Sequence, residues 1–424
     1  MTCRAVQSLF ICMVALLAAT QALAGPLQDM IDAAPEGGVV KPPAGVYEEH
    51  IVVSRPVELD GSNGVVIDGG GKGTVVELAA DKSTLRNITI RNSGRLHNAL
   101  DAGLRVKGDF NVIKDIRIED SLFGLDLHEA DNNVIRRMSI SSKDMPLELR
   151  GDSVRLWYSH DNRLEDSEIS HSRDFAVWYS HGNTFTGNRI HGNRYGIHFM
   201  YANDNHMSRN EIADCVVGVF LMYSNDITVE DNRLLRAWGA SGMGVGFKES
   251  SGVKVARNAI VGNAVGIFLD ISPYDPDSTN VFSDNQIGYN GIGVEFHTDW
   301  EGNIFKGNSF SSNFTQIAVR GGGTALRETW DSNFWDDFAG FDGDGDRRGD
   351  SPYEIYSYAD QIWMENRAAN FFRGGFALEA LDFIERLAPF SEPKLLLQEK
   401  NPLMQEPVLA EAAKPKDALE MLLQ

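Results

Sequence analysis

At 424 residues with 42% hydrophobic content, the chain is long enough for one large domain or a few ordinary ones, and its composition is that of a folded protein. A net charge of −21, from 39 basic and 60 acidic residues, argues against nucleic acid or anionic lipid as a partner, since both demand basic patches. It is compatible with cationic partners and metal ions.

The first 24 residues carry one positive charge at Arg4, an apolar run from Leu9 to Leu17 and an Ala22-Leu23-Ala24 end, the design of a cleaved secretory signal. No later segment is apolar over the ~20 residues that a membrane span requires, so a soluble, exported protein is expected. Cys3 and Cys12 leave with the signal. The remaining Cys215 cannot form an intramolecular disulfide, and the core must supply the stability.

Leu27, Met30, Ile31 and Ala34 then fall at helical spacing before Pro35 and Gly37-Gly38, which predicts a short helix covering the open end of a solenoid. The solenoid itself is visible from Val154 onward. Val154, Phe175, Ile197, Val219, Val245, Ile267, Val294 and Ile317 recur at steps of 21 to 27 residues, each step holding three short alternating runs separated by Asn, Asp and Gly. Three strands per coil of about 22 residues predict an all-β fold, a right-handed parallel β-helix. A column after the third run holds Asn193, Asn263, Asn290 and Asn313, as a side-chain ladder requires, and Cys215 falls in it as a small buried substitute.

Alternation assigns the faces. The columns beginning at Val154 and Leu156 are inner wall; Leu164, Phe185, Met207, Val229, Val255, Phe282 and Phe305 line the second strand, and Ile169 to Phe310 the third. The outer columns of the first strand should be polar. One instead holds Arg155, Ala176, His198 and Phe220, and the next holds Trp157, Trp178, Met200 and Met222 before reverting to Lys248, Asp270, His297 and Arg320. Adjacent coils lie ~4.8 Å apart, so Met200 and Met222 are ladder neighbours, with His198 ~6.7 Å from Met200 on the same face. Two thioethers and an imidazole suit Cu(I) rather than zinc or calcium. Three readings stand side by side: the stripe is core covered by the C-terminal segment, a docking patch in which Trp157, Trp178 and Phe220 meet a partner, or a copper site of Met200, Met222 and His198 within such a patch. Tyr158, Tyr179, Tyr201 and Tyr223 form a register of their own. His160, His181 and Met243 are weaker copper candidates.

Beyond the repeats, "DGDGDRRGD" offers Asp342, Asp344, Asp346 and Asp350 to a hard cation such as structural calcium, although Arg347 stands where a calcium loop needs Gly and Tyr353 where it needs a bidentate Glu. "FALEALDFIERL" predicts an amphipathic helix with Phe376, Leu381, Ile384 and Leu387 near one face, stopped by Pro389, and the remainder reads as an extended, Pro-rich tail. The organisation is therefore a signal peptide at 1–24, the β-helix with its N-terminal cap at 25–340, an acidic loop and cap region at 341–373, and a helix with a partner-binding tail at 374–424. A secreted β-helix also invites a polysaccharide-binding or lyase- or epimerase-like reading. Such chemistry needs paired carboxylates or a carboxylate with a base in one groove, and the outer columns offer no dense set, so the chain is read as no enzyme.

The central "RLWYSHDN", "AVWYSHGNTFTGNRI", "RYGIHFMYANDN" and "GVFLMYSND", with "GNAVGIFLDISP", "SNFWDDFAGFDGDGDRRGDSPYEI" and "APFSEPKLLLQEKNPLM", resemble the NosD family, within the β-helix family of carbohydrate-binding proteins and sugar hydrolases. The resemblance covers nearly all of the mature chain. It implies a periplasmic accessory protein for assembly of the copper centres of nitrous oxide reductase, working with an ABC permease and its ATPase at the inner membrane, with a copper chaperone lipoprotein and with the reductase. The copper ligands are not implied by it; they rest on the ladder.

Overall fold

The structure, a computed structural model, describes residues 25–358, 361–372, 375–388 and 392–407. The expected signal peptide, Pro389 and the last 17 residues lie outside them. The chain winds as a right-handed parallel β-helix of about 13 turns and about 23 residues per coil. One wall is a ladder of twelve parallel strands, from Ile51–Val53 to Thr315–Val319. The other two walls run on from each other around tight corners. Single residues at these corners take the left-handed conformation, such as Asp166, Arg209, Asp231 and Arg257 at φ between 50° and 57°.

The inner columns fall where alternation puts them: Leu164 through Phe305 and Ile169 through Phe310 are all buried, Met207 among them. Helix α1 (Pro26–Ala33) starts on Pro at its first turn and buries Leu27 and Ile31 against the first coil. Its free N-terminal amides are satisfied by Glu49, whose carboxylate accepts from the N–H groups of Leu27 and Gln28 at 3.0 and 3.1 Å. No described helix is long and apolar enough to cross a membrane.

Buried asparagines thread the corners. In the best-formed ladder each Oδ1 accepts the backbone N–H of the preceding rung, from Ser167 through Asn188, Asn210, Asn232, Asn258, Asn285 and Asn308 to Asn333. In the column of Asn193, Cys215 is the rung that breaks the chain. Asn193 Nδ2 is left without a partner, and burial pushes the Cys215 thiol up to about 12, which keeps it protonated and unreactive.

The C-terminal end departs from the expected extended tail. Lys394–Glu399 folds back as a strand antiparallel to Tyr353–Ser357 and buries Leu396 and Leu397. The physical reason is the open end of the solenoid: Phe310, Trp335 and Tyr353 stack in sequence at 4.2 and 4.5 Å, and Leu397 joins the same core. Glu399 terminates the asparagine ladder, accepting the Asn333 N–H at 2.7 Å and the Trp335 Nε1–H at 2.7 Å. Glu328 does the same for a second ladder through the N–H and Nδ2–H of Asn303.

Burial pushes Glu328 up to about 7. A carboxyl whose pKa is raised on folding stabilises the native state below its unfolded value, and that contribution is lost as pH rises through about 7. Thermal stability of the native chain is expected to fall between pH 5 and 8 by an amount that Glu328→Gln reduces by roughly 1–3 kcal/mol. Scanning calorimetry at both pH values reads this, and an identical pH dependence in the variant would refute it.

After the cap strand's partner, helix α2 (Gln361–Glu365) lays Trp363 and Met364 on Ile292 and Ala318 of the first wall. Helix α3 (Phe376–Leu387) confirms the predicted amphipathic helix, but its apolar side faces outward: Phe376 is 88% and Leu387 72% exposed, with Phe383 and Ile384 also open.

Candidate functional site on the outer first wall

The register of the first wall makes one outer column of His128, Trp157, Trp178, Met200, Met222 and Lys248, each directly opposite the next. Met200 and Met222 are ladder neighbours. The C-terminal segment packs farther along the wall, on Val265, Ile292 and Ala318, and the stripe of Trp157, Trp178, Met200, Phe220 and Met222 stays half-buried, with Tyr158 and Tyr201 exposed beside it. The covered-core reading thus applies to the later coils.

His198 has the most unusual environment. Its ring is 8% exposed, although it projects from the outer face. Tyr195 stacks on it at 4.9 Å, Trp178 meets it edge-to-face at 6.0 Å, and Phe220 closes a third side at 5.9 Å. Neither ring nitrogen has a hydrogen-bond partner among the described residues. Burial lowers its pKa to about 4, so the imidazole is neutral and keeps a free lone pair. A buried imidazole left without hydrogen bonds costs free energy, and native structures rarely tolerate that without a use.

Tyr195 was not legible as part of this box. Asp174 stands opposite Tyr195 and Ala176 opposite His198, so the strand carries one extra residue between them and places both rings on the outer face at a spacing that alternation forbids. Met243 borders the box from the next coil. A Cβ at Gly246 would lie 2.5 Å from the Phe220 ring and 3.0 Å from Met243 Sδ, so the missing side chain is what lets these two occupy the wall.

The tyrosines form a true ladder. Tyr158, Tyr179, Tyr201 and Tyr223 sit at φ between 48° and 52° and stack at 5.0, 5.3 and 5.0 Å. His160 and His181 also stack, at 5.2 Å, but their role differs from metal binding. His160 Nδ1 accepts the His181 N–H, His181 Nδ1 accepts the Asn203 N–H, and Asn203 and Asn225 continue the series. Their acceptor nitrogens are committed to the corner, and a neutral ring then carries its proton on the outward Nε2. Extending the column to Asn203 and Asn225 would have revealed this.

In the acidic loop, Asp342, Asp344 and Asp346 bring carboxylate oxygens within 4.8 Å of one another. Each of the three also accepts a backbone N–H within the loop, and Asp350 stands outside the cluster, accepting the Gly343 N–H at 2.7 Å. Farther along the first wall, Asp270 and Glu295 share a groove of about 630 Å³. Each is matched by a cation or imidazole: Asp270 by His297 Nδ1 at 2.9 Å, and Glu295 by a bidentate Arg320 at 2.9 and 3.1 Å.

Residues 131–340 match the family described as NosD, periplasmic copper-binding protein. A curated relative from Pseudomonas aeruginosa, named a probable ABC transporter binding protein NosD, is 28% identical over 88% of this chain and 89% of its own. Among solved structures, the A-module of the mannuronan C-5 epimerase AlgE4 of Azotobacter vinelandii is similar at TM-score 0.55 and 18% identity, covering 72% of this chain and 94% of that one. The Streptococcus pneumoniae surface adhesin PfbA is similar at 0.51 and 14% identity, over 69% of this chain and 88% of that one. At such identities the structural likeness shows the β-helix alone, shared by an epimerase and an adhesin. The family match spans the coils that carry the methionine stripe and the histidine box, and what this chain is similar to there is the NosD family of periplasmic copper-binding proteins.

Proposed function

We propose that this chain is the periplasmic component of an ABC transporter system that assists copper delivery to nitrous oxide reductase. It receives Cu(I) from a chaperone lipoprotein on Met200, Met222 and His198, presents it to the apo-reductase, and docks both through the surrounding Trp157, Trp178 and Phe220. The observation that carries this reading is the buried His198 with two unpartnered nitrogens beside a pair of ladder methionines on an open face. Thioether and neutral imidazole are soft ligands that bind Cu(I) without demanding its full hydration shell, and their small number suits a carrier that must release its ion. No residue is assigned a catalytic role. Calcium is proposed for the Asp342, Asp344 and Asp346 loop, because clustered carboxylate oxygens suit a hard cation.

Anaerobic titration of residues 25–424 with Cu(I) against a competing chelator tests the site. About one ion per chain is expected, with affinity reduced on the order of 100-fold or more in Met200→Leu/Met222→Leu, as for loss of two metal ligands. Binding indifferent to the double substitution would place copper elsewhere.

The open side of α3, with Phe371 and Phe372 before it, is proposed as the anchor to the permease. Truncation before Gly374 would also remove the strand Lys394–Glu399 that closes the solenoid, so point substitutions are the cleaner test. Phe383→Ser/Leu387→Ser should abolish co-purification with the permease while leaving the free energy of unfolding within about 1 kcal/mol of the native value; undiminished recovery would remove the anchor.

A further inference from the structure

We propose that the indole of Trp178 forms the open side of this copper site and makes it selective for soft monovalent ions. The inference rests on the copper reading above and adds a residue to it. Trp178 lies directly opposite Met200, which lies opposite Met222, so the indole stands at the end of the thioether pair. The same ring meets His198 edge-to-face at 6.0 Å. It therefore adjoins two of the three suggested donors, His198 by ring contact and Met200 by register, with Met222 one coil beyond.

The orientation of the ring is the second observation. Trp178 is half-buried, yet its Nε1 is fully enclosed and has no acceptor among the described residues. What solvent reaches of this side chain is therefore carbon. An indole free to choose would turn its N–H toward water, and Trp157, at 6.1 Å and 66°, is one of the neighbours holding it otherwise. Three buried nitrogens without partners, the Nε1 of Trp178 and both of His198, belong to two rings in edge-to-face contact.

Two thioethers and one imidazole leave an ion three-coordinate. Zinc demands a fourth ligand and Cu(II) a tetragonal set of nitrogen and oxygen donors, which water would normally complete. An aromatic face offers neither a proton nor a lone pair, but its quadrupole attracts a cation, tryptophan most strongly. The other end of the column reinforces this choice. Lys248 stands directly opposite Met222, with Nζ 5.9 Å from the Tyr223 ring, and its charge repels a divalent ion more than a monovalent one. The site is thus built to hold Cu(I) or Ag(I) dry and to reject ions that need water.

The test uses residues 25–424 without oxygen, titrated separately with Cu(I) under chelator competition, Ag(I) and Zn(II), following tryptophan emission and affinity. Cu(I) and Ag(I) are expected to quench part of the emission with an end point near one ion per chain, and Zn(II) is not. Trp178→Leu should lose that quench and weaken Cu(I) about tenfold, in the range of a desolvated cation–π contact. Trp178→Phe should recover part of the affinity, and Trp300→Leu, outside the stripe, should retain the quench. Should the leucine variant fail to fold, the phenylalanine variant and the wild-type quench decide the matter. Loss of binding in Met200→Leu/Met222→Leu with Trp178→Leu and Trp178→Phe both at wild-type affinity overturns the indole's part alone. Cu(I) binding that ignores the methionines, or none by the native protein, overturns both.

Discussion

Asn258→Leu is expected to destabilise the chain on the order of 3–5 kcal/mol, more than any substitution of the outer stripe. Asn258 Oδ1 accepts from both the N–H and the Nδ2–H of Asn232, at 2.9 and 3.0 Å. Its own Nδ2 donates to the carbonyls of Val229 and Ala256 and to Asn285 Oδ1. Leucine of similar size fills the space and supplies none of these. It strands the Asn232 N–H and takes a donor from the Val229 carbonyl where water does not reach, each costing ~1–3 kcal/mol, while the Ala256 carbonyl keeps the Asp231 N–H. The break at Cys215 shows the milder version, in which one Nδ2 is orphaned and the fold persists. Chemical unfolding of Asn258→Leu beside the native protein measures the effect; a change below 1 kcal/mol would mean that the ladders decorate the corners rather than hold them.

Ending the chain at Pro393 should have an effect of comparable size and a different character. Removal of Lys394–Glu399 uncovers Trp335 and Tyr353, orphans the N–H of Asn333 and the Nε1–H of Trp335, and leaves Tyr353–Ser357 as an unpaired edge. The truncated protein is expected to associate through its open end, with a concentration-dependent mass by light scattering and a melting temperature lowered by roughly 10 °C or more, in keeping with loss of several kcal/mol. A monomer of native stability would show that the described strand is dispensable to the cap.

The solenoid was legible because its two periodicities, alternation along a strand and recurrence between coils, can both be read in one dimension. They placed the buried columns of Phe185 and Ile190 and the Met200–Met222 pair without reference to distant contacts. What they could not reach were features made once. The pairing of Tyr353–Ser357 with Lys394–Glu399 spans some forty residues and repeats nowhere, so a charged, proline-rich stretch concealed a strand. The extra residue between Tyr195 and His198 breaks the alternation that assigned the faces, so the histidine's enclosure stayed hidden while the histidine itself did not. For α3 the amphipathic pattern was correct, yet periodicity marks an apolar side without saying whether the protein or a partner covers it.

The parallel register also makes the solenoid a ruler. From Phe220 on the methionine stripe to Ala318 beneath α2 there are four coil steps, or about 19 Å at the spacing of adjacent strands. Coils are discrete, so this separation can change only in increments of about 4.8 Å. A relative that gained or lost one coil between these points would keep both its stripe and its end cap intact. On the copper and anchor proposals above, it would offer the ion at a different height above the partner of α3, and the number of coils becomes a quantity on which a hand-off between fixed partners depends.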